Sequence, residues 1–107
     1  MSERFFSEIF SQGTSIFSEQ ERKPHYFYVI IYNENKKNLD FVEEMLAKIF
    51  YKDEKETSLI IDEIVSKGSG KIGTYSYDIA MTKKSQAERF IEEAGYFIKI
   101  TVEEVIE

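Results

Sequence analysis

The sequence predicts one α+β domain in which a small three-stranded antiparallel sheet packs against three helices. Segments 26–32, 71–77 and 97–102 are rich in β-branched and aromatic residues, which is typical of strands. The segments between them repeat apolar residues at the helical period. In chain order the elements are β-α-α-β-α-β, and a chain of 107 residues is long enough to bury one core of this kind.

The first strand is predicted over Tyr26–Tyr32, and the polar residues 33–37 form the turn that follows it. Asn38 is expected to cap the first helix, because its side-chain oxygen can accept from the free N–H groups of a first helical turn. The helix carries one apolar stripe, made of Leu39, Val42, Met45, Leu46, Ile49 and Phe50.

The second helix is predicted to begin at Asp53, which forms a capping-box pair with Glu56. Gly68 and Gly70 are expected to end this helix, and a strand over Lys71–Tyr77 follows them. The apolar positions of this second helix are Ile60, Ile61, Ile64 and Val65.

The third helix is predicted to begin at Thr82, whose hydroxyl is a suitable cap, and to end at Gly95. Its inward positions are Ala87, Phe90, Ile91 and Ala94. The last strand is expected over Phe97–Val102, where apolar and polar residues alternate.

Composition excludes several classes of function. A formal net charge of -6 argues against nucleic-acid binding, which needs clustered Lys and Arg. The chain has no cysteine, so disulfides and thiolate metal sites are absent, and we expect no cofactor. No apolar run approaches the roughly 20 residues that span a bilayer, and no leader sequence is recognisable. We therefore expect a cytoplasmic monomer that contacts neither membrane nor nucleic acid.

Residues 1–25 are predicted to form a flexible N-terminal extension to a domain over residues 26–107. In this extension Phe5, Phe6, Ile9 and Phe10 recur at helical spacing, and a polar run interrupts them. A second interpretation is a short amphipathic segment that docks on a partner.

Five short blocks resemble the ClpS adaptor family of Clp proteases. Tyr32–Asn35 and Leu39–Val42 are similar to the family signature N-D-D-x-x-x-M-E-F-V. Lys67–Gly68 and Ile72–Tyr75 resemble the entry of its second strand, and Ala80–Lys83 resembles its block A-E-T-K. The blocks occur in register and cover the whole predicted domain, so the resemblance implies an adaptor that hands proteins to a Clp AAA+ ATPase.

The resemblance implies a site for substrates with a large hydrophobic N-terminal residue. Asn33 matches the asparagine that accepts from the substrate's α-amino group, and Glu34 and Asn35 match two aspartates beside it. An α-ammonium needs oxygen acceptors, and its side chain needs an apolar pocket. The implied pocket residues are Leu39, Val42, Ile61, Ile64, Val65 and Ile98.

A second implied surface contacts the N-domain of the ATPase. Asp78 and Lys83 match, in residue type, an acid and a lysine of that surface, and Thr82 lies in the same block. Outside the resemblance, Asp78 and Lys83 would be ordinary solvated charges, and the pocket residues would be ordinary core. Asn33 and Asn35 would equally suit a turn.

The sequence departs from the family pattern inside the implied substrate site. Asn35 lacks the charge of an aspartate, and Val65 stands where the family has a histidine that also holds the α-amino group. Lys36 and Lys37 bring two cations to the place where a cation would bind. These departures leave open a divergent paralogue that docks on the ATPase, or on another protein, without binding N-terminal residues.

A third alternative belongs to another class of protein. The C-terminal domain of the ribosomal stalk protein has a similar order of helices and strands, although it lacks the loop of asparagine and acid. An enzyme is the least favoured interpretation, because the sequence offers no titratable group with a partner in a cleft.

Overall fold

A computed structural model of the chain describes residues 25–106. The element order is β-α-α-β-α-β, which confirms the predicted fold class. The strands are β1 (Phe27–Tyr32), β2 (Ser69–Tyr75) and β3 (Lys99–Glu104), and the helices are α1 (Leu39–Phe50), α2 (Glu54–Lys67) and α3 (Tyr77–Ala94). The short 3-10 turn Lys36–Asn38 leads into α1.

The sheet is antiparallel, with β1 in the centre and the strand order β2-β1-β3. Since side chains alternate along a strand, neighbouring residues of β1 project from opposite faces of the sheet. Val29 and Ile31 are fully buried on one face, whereas Tyr28, Ile30 and Tyr32 lie on the other. All three helices contribute to the core on the face of Val29 and Ile31.

The core joins the sheet to one apolar stripe from each helix. Helix α1 is amphipathic as predicted, and Met45 and Leu46 on its apolar stripe are completely buried. The buried hydrophobic residues are Val29, Ile31, Val42, Met45, Leu46, Phe50, Ile60, Ile64, Ile72, Ala80, Ala87, Ile91 and Ile100. The helices are thereby fixed to one sheet, which sets the relative positions of the loops at its two ends.

The predicted start of the third helix was wrong. Helix α3 begins at Tyr77 after Ser76, so Thr82 lies within the helix and Asp78 lies in its first turn rather than at a strand end. An acid in the first turn is stabilised by the helix dipole, and the backbone of Ser76 accepts from the N–H of Ala80 at 2.9 Å. Aromatic and β-branched residues at 75–79 favour a strand locally, but tertiary packing outweighs this preference and the segment is helical from Tyr77.

Two predicted roles in the loops also differ from the structure. Asn38 makes no side-chain capping bond, whereas Asp53 and Glu56 form the complete capping box. Gly68 ends α2 in the left-handed conformation, but Gly70 is a buried residue of β2. A Cβ atom on Gly70 would lie 2.9 Å from Ile64 Cγ1, so the absence of a side chain lets α2 approach the sheet closely.

Candidate functional site

The loop from β1 to α1 is organised by a hydrogen bond between two buried asparagines. Asn33 Nδ2 donates to Asn38 Oδ1 at 2.7 Å, and each residue is only 5% exposed. Asn33 Oδ1 accepts no hydrogen bond from the residues that the structure describes. The bond to Asn38 therefore orients the Asn33 amide and leaves its oxygen as an acceptor for a ligand.

The other two predicted contacts with the α-amino group differ in their availability. Asn35 Oδ1 accepts from the backbone N–H of Lys37 at 2.9 Å, so this oxygen holds the loop in shape. Glu34 is exposed and passes close to Gly68, since a Cβ atom at that glycine would be 3.6 Å from Glu34 Cγ. Glu34 is therefore the acid of this loop that is free to place a negative charge beside Asn33.

The sheet brings three separate segments together at this loop. The N–H of Asn33 donates to the carbonyl oxygen of Gly68 at 2.9 Å, which places the end of α2 on one side of Asn33. On the other side Tyr32 pairs with Lys99, so Ile98 comes next to Asn33 along the same ladder. The end of α2 and the start of β3 therefore both lie beside the end of β1 that Asn33 follows.

The six predicted pocket residues are buried to different degrees. Val42 and Ile64 are core residues, at 0% and 3% exposure. Leu39, Ile61 and Ile98 are half-buried and pack against the core, whereas Val65 is 43% exposed. The half-buried group provides apolar surface at the rim of the core, and Val65 offers no hydrogen-bonding group to an α-amino group.

An acidic groove of about 440 Å³ runs between α1 and α2. Ile61 lines it, and Leu39 and Val65 stand one helical turn from its lining residues Glu43 and Ile61. The other lining residues are Ala47, Lys52, Asp53, Glu54, Thr57, Ser58 and Asp62. The groove includes the connection between α1 and α2, at the end of these helices far from Asn33, and it shares only Ile61 with the predicted pocket residues.

Tyr32, next to Asn33, stays neutral at ordinary pH. Its hydroxyl donates to Glu103 Oε2 at 3.0 Å, and this hydrogen bond raises the pKa of Tyr32 above its ordinary value of 10.0, with smaller contributions in the same direction from desolvation and the Glu103 charge. The phenol therefore adds no charge to the site, and its position on the opposite face of the sheet keeps it out of the pocket.

The predicted docking residues lie on the first half of α3. Asp78 and Thr82 are exposed and stand four residues apart, which places them on one face of the helix. Lys83 turns instead towards α1, where its Nζ donates to the carbonyl oxygen of Ile49 at 2.8 Å. Its ammonium also lies 4.5 Å from the ring centroid of Tyr51. Lys83 therefore stabilises the C-terminal end of α1, where a cation is favourable.

The two candidate surfaces lie at opposite ends of the sheet. Phe27, at the start of β1, contacts Tyr77 at the start of α3 with a ring-centroid distance of 5.2 Å. Asn33 follows the other end of β1, a strand of six residues. At about 3.3 Å per residue this strand separates the surfaces by roughly 20 Å. One molecule has room to contact two different proteins at these surfaces.

Comparison with known proteins identifies the family. Residues 22–101 match the family model described as the ATP-dependent Clp protease adaptor protein ClpS. The chain belongs to the ClpS family. It is an adaptor of an ATP-dependent Clp protease, as the resemblance implied.

Curated ClpS relatives cover most of the chain. The ClpS of Lawsonia intracellularis is 29% identical over 109 residues, which is 100% of both chains. The ClpS of Wolinella succinogenes is 37% identical over 82 residues, covering 77% of this chain and 80% of its own. Among solved structures, Agrobacterium tumefaciens ClpS2 bound to L-phenylalaninamide matches with a TM-score of 0.71 and 25% identity. That match covers 78% of this chain and 100% of the ClpS2 chain.

Sequence reasoning missed the contacts by which two residues shape the candidate site. Asn38 was interpreted as a helix cap, yet it holds the Asn33 amide. Gly68 was interpreted as a helix end and as part of the entry to the second strand, yet its carbonyl oxygen also anchors Asn33. No local sequence pattern predicts either of these two hydrogen bonds. The density of asparagines at 33–38 was the available signal, because such residues often bond within their own loop.

Within residues 25–106 no group of His, Asp and Glu side chains is placed to hold a metal ion. In the same part of the chain, no helix combines the length and the apolar character needed to cross a membrane.

Proposed function

We propose that this ClpS-family chain binds the N-domain of a Clp AAA+ ATPase and delivers to it proteins with a large hydrophobic N-terminal residue. The substrate residues are Asn33 and Glu34 with the half-buried Leu39, Ile61 and Ile98. Asp78 and Thr82 belong to the ATPase-binding face. The chain acts by binding alone and carries out no catalysis.

The orientation of Asn33 is the observation that carries this proposal. Its amide is fixed through Nδ2, and its Oδ1 accepts no hydrogen bond from the residues that the structure describes. An α-ammonium that donates to this oxygen places the adjoining side chain beside apolar surface. The negative charge of the exposed Glu34, next to Asn33 in the loop, favours the same cation. The ClpS2 relative bound to L-phenylalaninamide supports the same class of ligand.

The separation of the two surfaces supports an adaptor that binds its substrate and the ATPase at the same time, rather than one whose two partners compete for a single surface. A substrate at Asn33 and an ATPase domain at Asp78 are separated by the length of β1, so they do not exclude each other. The family match also favours this interpretation over the ribosomal-stalk alternative.

The direct test is binding of a short fluorescent peptide that begins with leucine or phenylalanine. We expect anisotropy to detect binding of the free peptide and no binding of the N-acetylated peptide, because acetylation removes the ammonium donors that Asn33 accepts from. Equal affinities for the free and the acetylated peptide, or no binding of either, would contradict the proposal. In that case the chain is the divergent paralogue, which docks on a protein without recognising the N-terminus.

A separate prediction concerns the ATPase-binding face. Lys83→Glu is expected to weaken binding of a Clp ATPase N-domain by about tenfold, because it removes the hydrogen bond that holds this part of α3 to the C-terminal end of α1 and brings a negative charge there. The affinity is measured by calorimetry with the isolated N-domain.

Lys84→Glu is the matched control for this prediction. The neighbouring lysine pairs with Glu88 at 3.0 Å and lies outside the proposed face. We expect this variant to keep its ATPase affinity although its charge change is identical. Similar losses in both variants would mean that net charge, and not the face at Asp78 and Thr82, controls binding.

A further inference from the structure

Two lysines in the loop that carries Asn33 have no part in the proposed site so far. Lys36 and Lys37 are the first two residues of the 3-10 turn, and both are exposed. The turn is held by its backbone, since Asn35 Oδ1 accepts from the N–H of Lys37 at 2.9 Å and the Asn35 carbonyl oxygen accepts from the N–H of Asn38 at 3.4 Å. The two side chains therefore leave the loop from fixed backbone positions.

The same loop closes on itself beside Asn33. Asn33 Nδ2 donates to Asn38 Oδ1 at 2.7 Å. A 3-10 turn advances only about 2 Å per residue, so the backbones of Lys36 and Lys37 lie within one turn of Asn38. The Debye length is about 10 Å at roughly 0.1 M salt, so the charges of these lysines act on a ligand bound at Asn33.

No described acid neutralises these two lysines. Three lysines of the helices pair with a glutamate four residues away, whereas no ion pair between described residues includes Lys36 or Lys37. Residues 36–42, which form the 3-10 turn and the first turn of α1, contain these two lysines and one acid, Asp40, for a net charge of +1. Residues 1–24, which hold the predicted extension and its amphipathic segment, lie outside the described residues, so this balance holds for the described residues alone. A ligand at Asn33 therefore has an excess of positive charge on its α1 side.

A peptide held by its N-terminus places its second residue in this positive field. Its ammonium lies at Asn33 Oδ1, and its first side chain lies against the half-buried apolar rim of the core. Successive side chains of an extended peptide point to opposite sides and are spaced by roughly 3.3 Å, so the second side chain points away from the rim and stays close to the loop. Glu34 approaches Gly68 at the end of α2, so it leaves the α1 side to Lys36 and Lys37.

We propose that Lys36 and Lys37 make this chain select substrates whose second residue is aspartate or glutamate. This inference rests on the proposed function and adds a second recognised position to the same site. An acid at position two attracts the two lysines and offsets the repulsion that they exert on the α-ammonium of the substrate. Because such ion pairs are exposed to water, we expect an acidic second residue to improve binding by about threefold to tenfold over a neutral one.

The test compares three fluorescent peptides that begin with leucine and differ only in the second residue, which is glutamate, glutamine or lysine. Fluorescence anisotropy with the full chain at low salt should show the glutamate peptide bound about threefold to tenfold more tightly than the glutamine peptide, and the lysine peptide bound more weakly than both. At roughly 1 M salt, where the Debye length is about 3 Å, the three affinities should converge. A preference for glutamate that persists unchanged at high salt would overturn the proposal.

The Lys36→Gln, Lys37→Gln double variant tests whether these lysines cause the preference. We expect the advantage of the glutamate peptide to fall below about twofold, because the positive field is removed. Lys48→Gln, Lys55→Gln is the matched control, since it removes the same charge elsewhere. Lys48 lies ten residues after Asn38, roughly 15 Å along α1, and Lys55 lies in the first turn of α2, at the end of that helix far from Gly68. This control should keep the full preference, and an equal loss in both double variants would overturn the proposal.

The three peptides also separate this inference from the proposed function. Equal binding of all three to the unmodified chain would overturn the selection by Lys36 and Lys37 and would leave recognition of the N-terminal residue intact. No binding of any of the three would contradict the proposed function, and the selection at position two would be overturned with it.

Discussion

Asn33→Ala is expected to weaken binding of a peptide with a free N-terminal leucine by roughly tenfold to a hundredfold. The substitution removes the oxygen that accepts from the α-ammonium, and a hydrogen bond to a charged group contributes about 1.5–3 kcal/mol. The fold should tolerate the change, because the backbone N–H of Asn33 still donates to Gly68. Fluorescence anisotropy gives the affinity, and thermal unfolding verifies that the domain is intact.

The same substitution at two other asparagines of the loop provides matched controls. Asn38→Ala should cause an intermediate loss of affinity, because it removes the partner that orients the Asn33 amide. Asn35→Ala should cause the smallest loss, since its oxygen is already used by the N–H of Lys37 at an exposed position. If Asn35→Ala weakened binding as much as Asn33→Ala, the assignment of the acceptor to Asn33 would be wrong.

Leu46→Ala is expected to lower the free energy of unfolding by about 2–5 kcal/mol. Leu46 is fully buried in the middle of α1, and its truncation leaves a cavity between this helix and the rest of the core. For a domain of this size each kcal/mol shifts the melting temperature by roughly 4–8 °C, so we expect a decrease on the order of 10 °C or more. Both proposed surfaces depend on α1, through Leu39 and through the contact of Lys83 with Ile49.

Leu59→Ala is the control with identical chemistry and different burial. Leu59 lies on α2 and is 63% exposed, so its truncation should change the free energy of unfolding by no more than about 0.5 kcal/mol. Chemical denaturation of the two variants side by side measures the difference. A cost for Leu59→Ala similar to that of Leu46→Ala would show that α2 is packed more deeply than its exposure indicates.

The third helix illustrates where sequence reasoning reached its limit. The sequence around Tyr75–Ile79 has strand-forming character, and Thr82 is a good helix cap, so the boundary was placed five residues too late. In the structure Tyr77 is the first residue of α3, and its ring contacts Phe27 of β1. Contacts between residues far apart in sequence outweigh local preferences that differ by less than about 1 kcal/mol per residue.

The predicted pocket shows the same limit in another form. Six apolar positions were assigned to one pocket, and the structure divides them into core, rim and exposed surface. Val42 and Ile64 are buried core residues, whereas Leu39, Ile61 and Ile98 are partly exposed at the rim of the core. Helical periodicity cannot make this distinction, because core and rim residues occur on the same stripe.

Local patterns were sufficient for the element order, the amphipathic stripe of α1, the capping box at Asp53 and the family. These features depend on residues close together in sequence or on motifs of short range. Only the folded arrangement decided that Asn33 is oriented by Asn38 and anchored by Gly68, and that Lys83 supports α1. Each such contact depends on where the sheet and helices place their ends, because a hydrogen bond requires distances and angles that residue type alone does not specify.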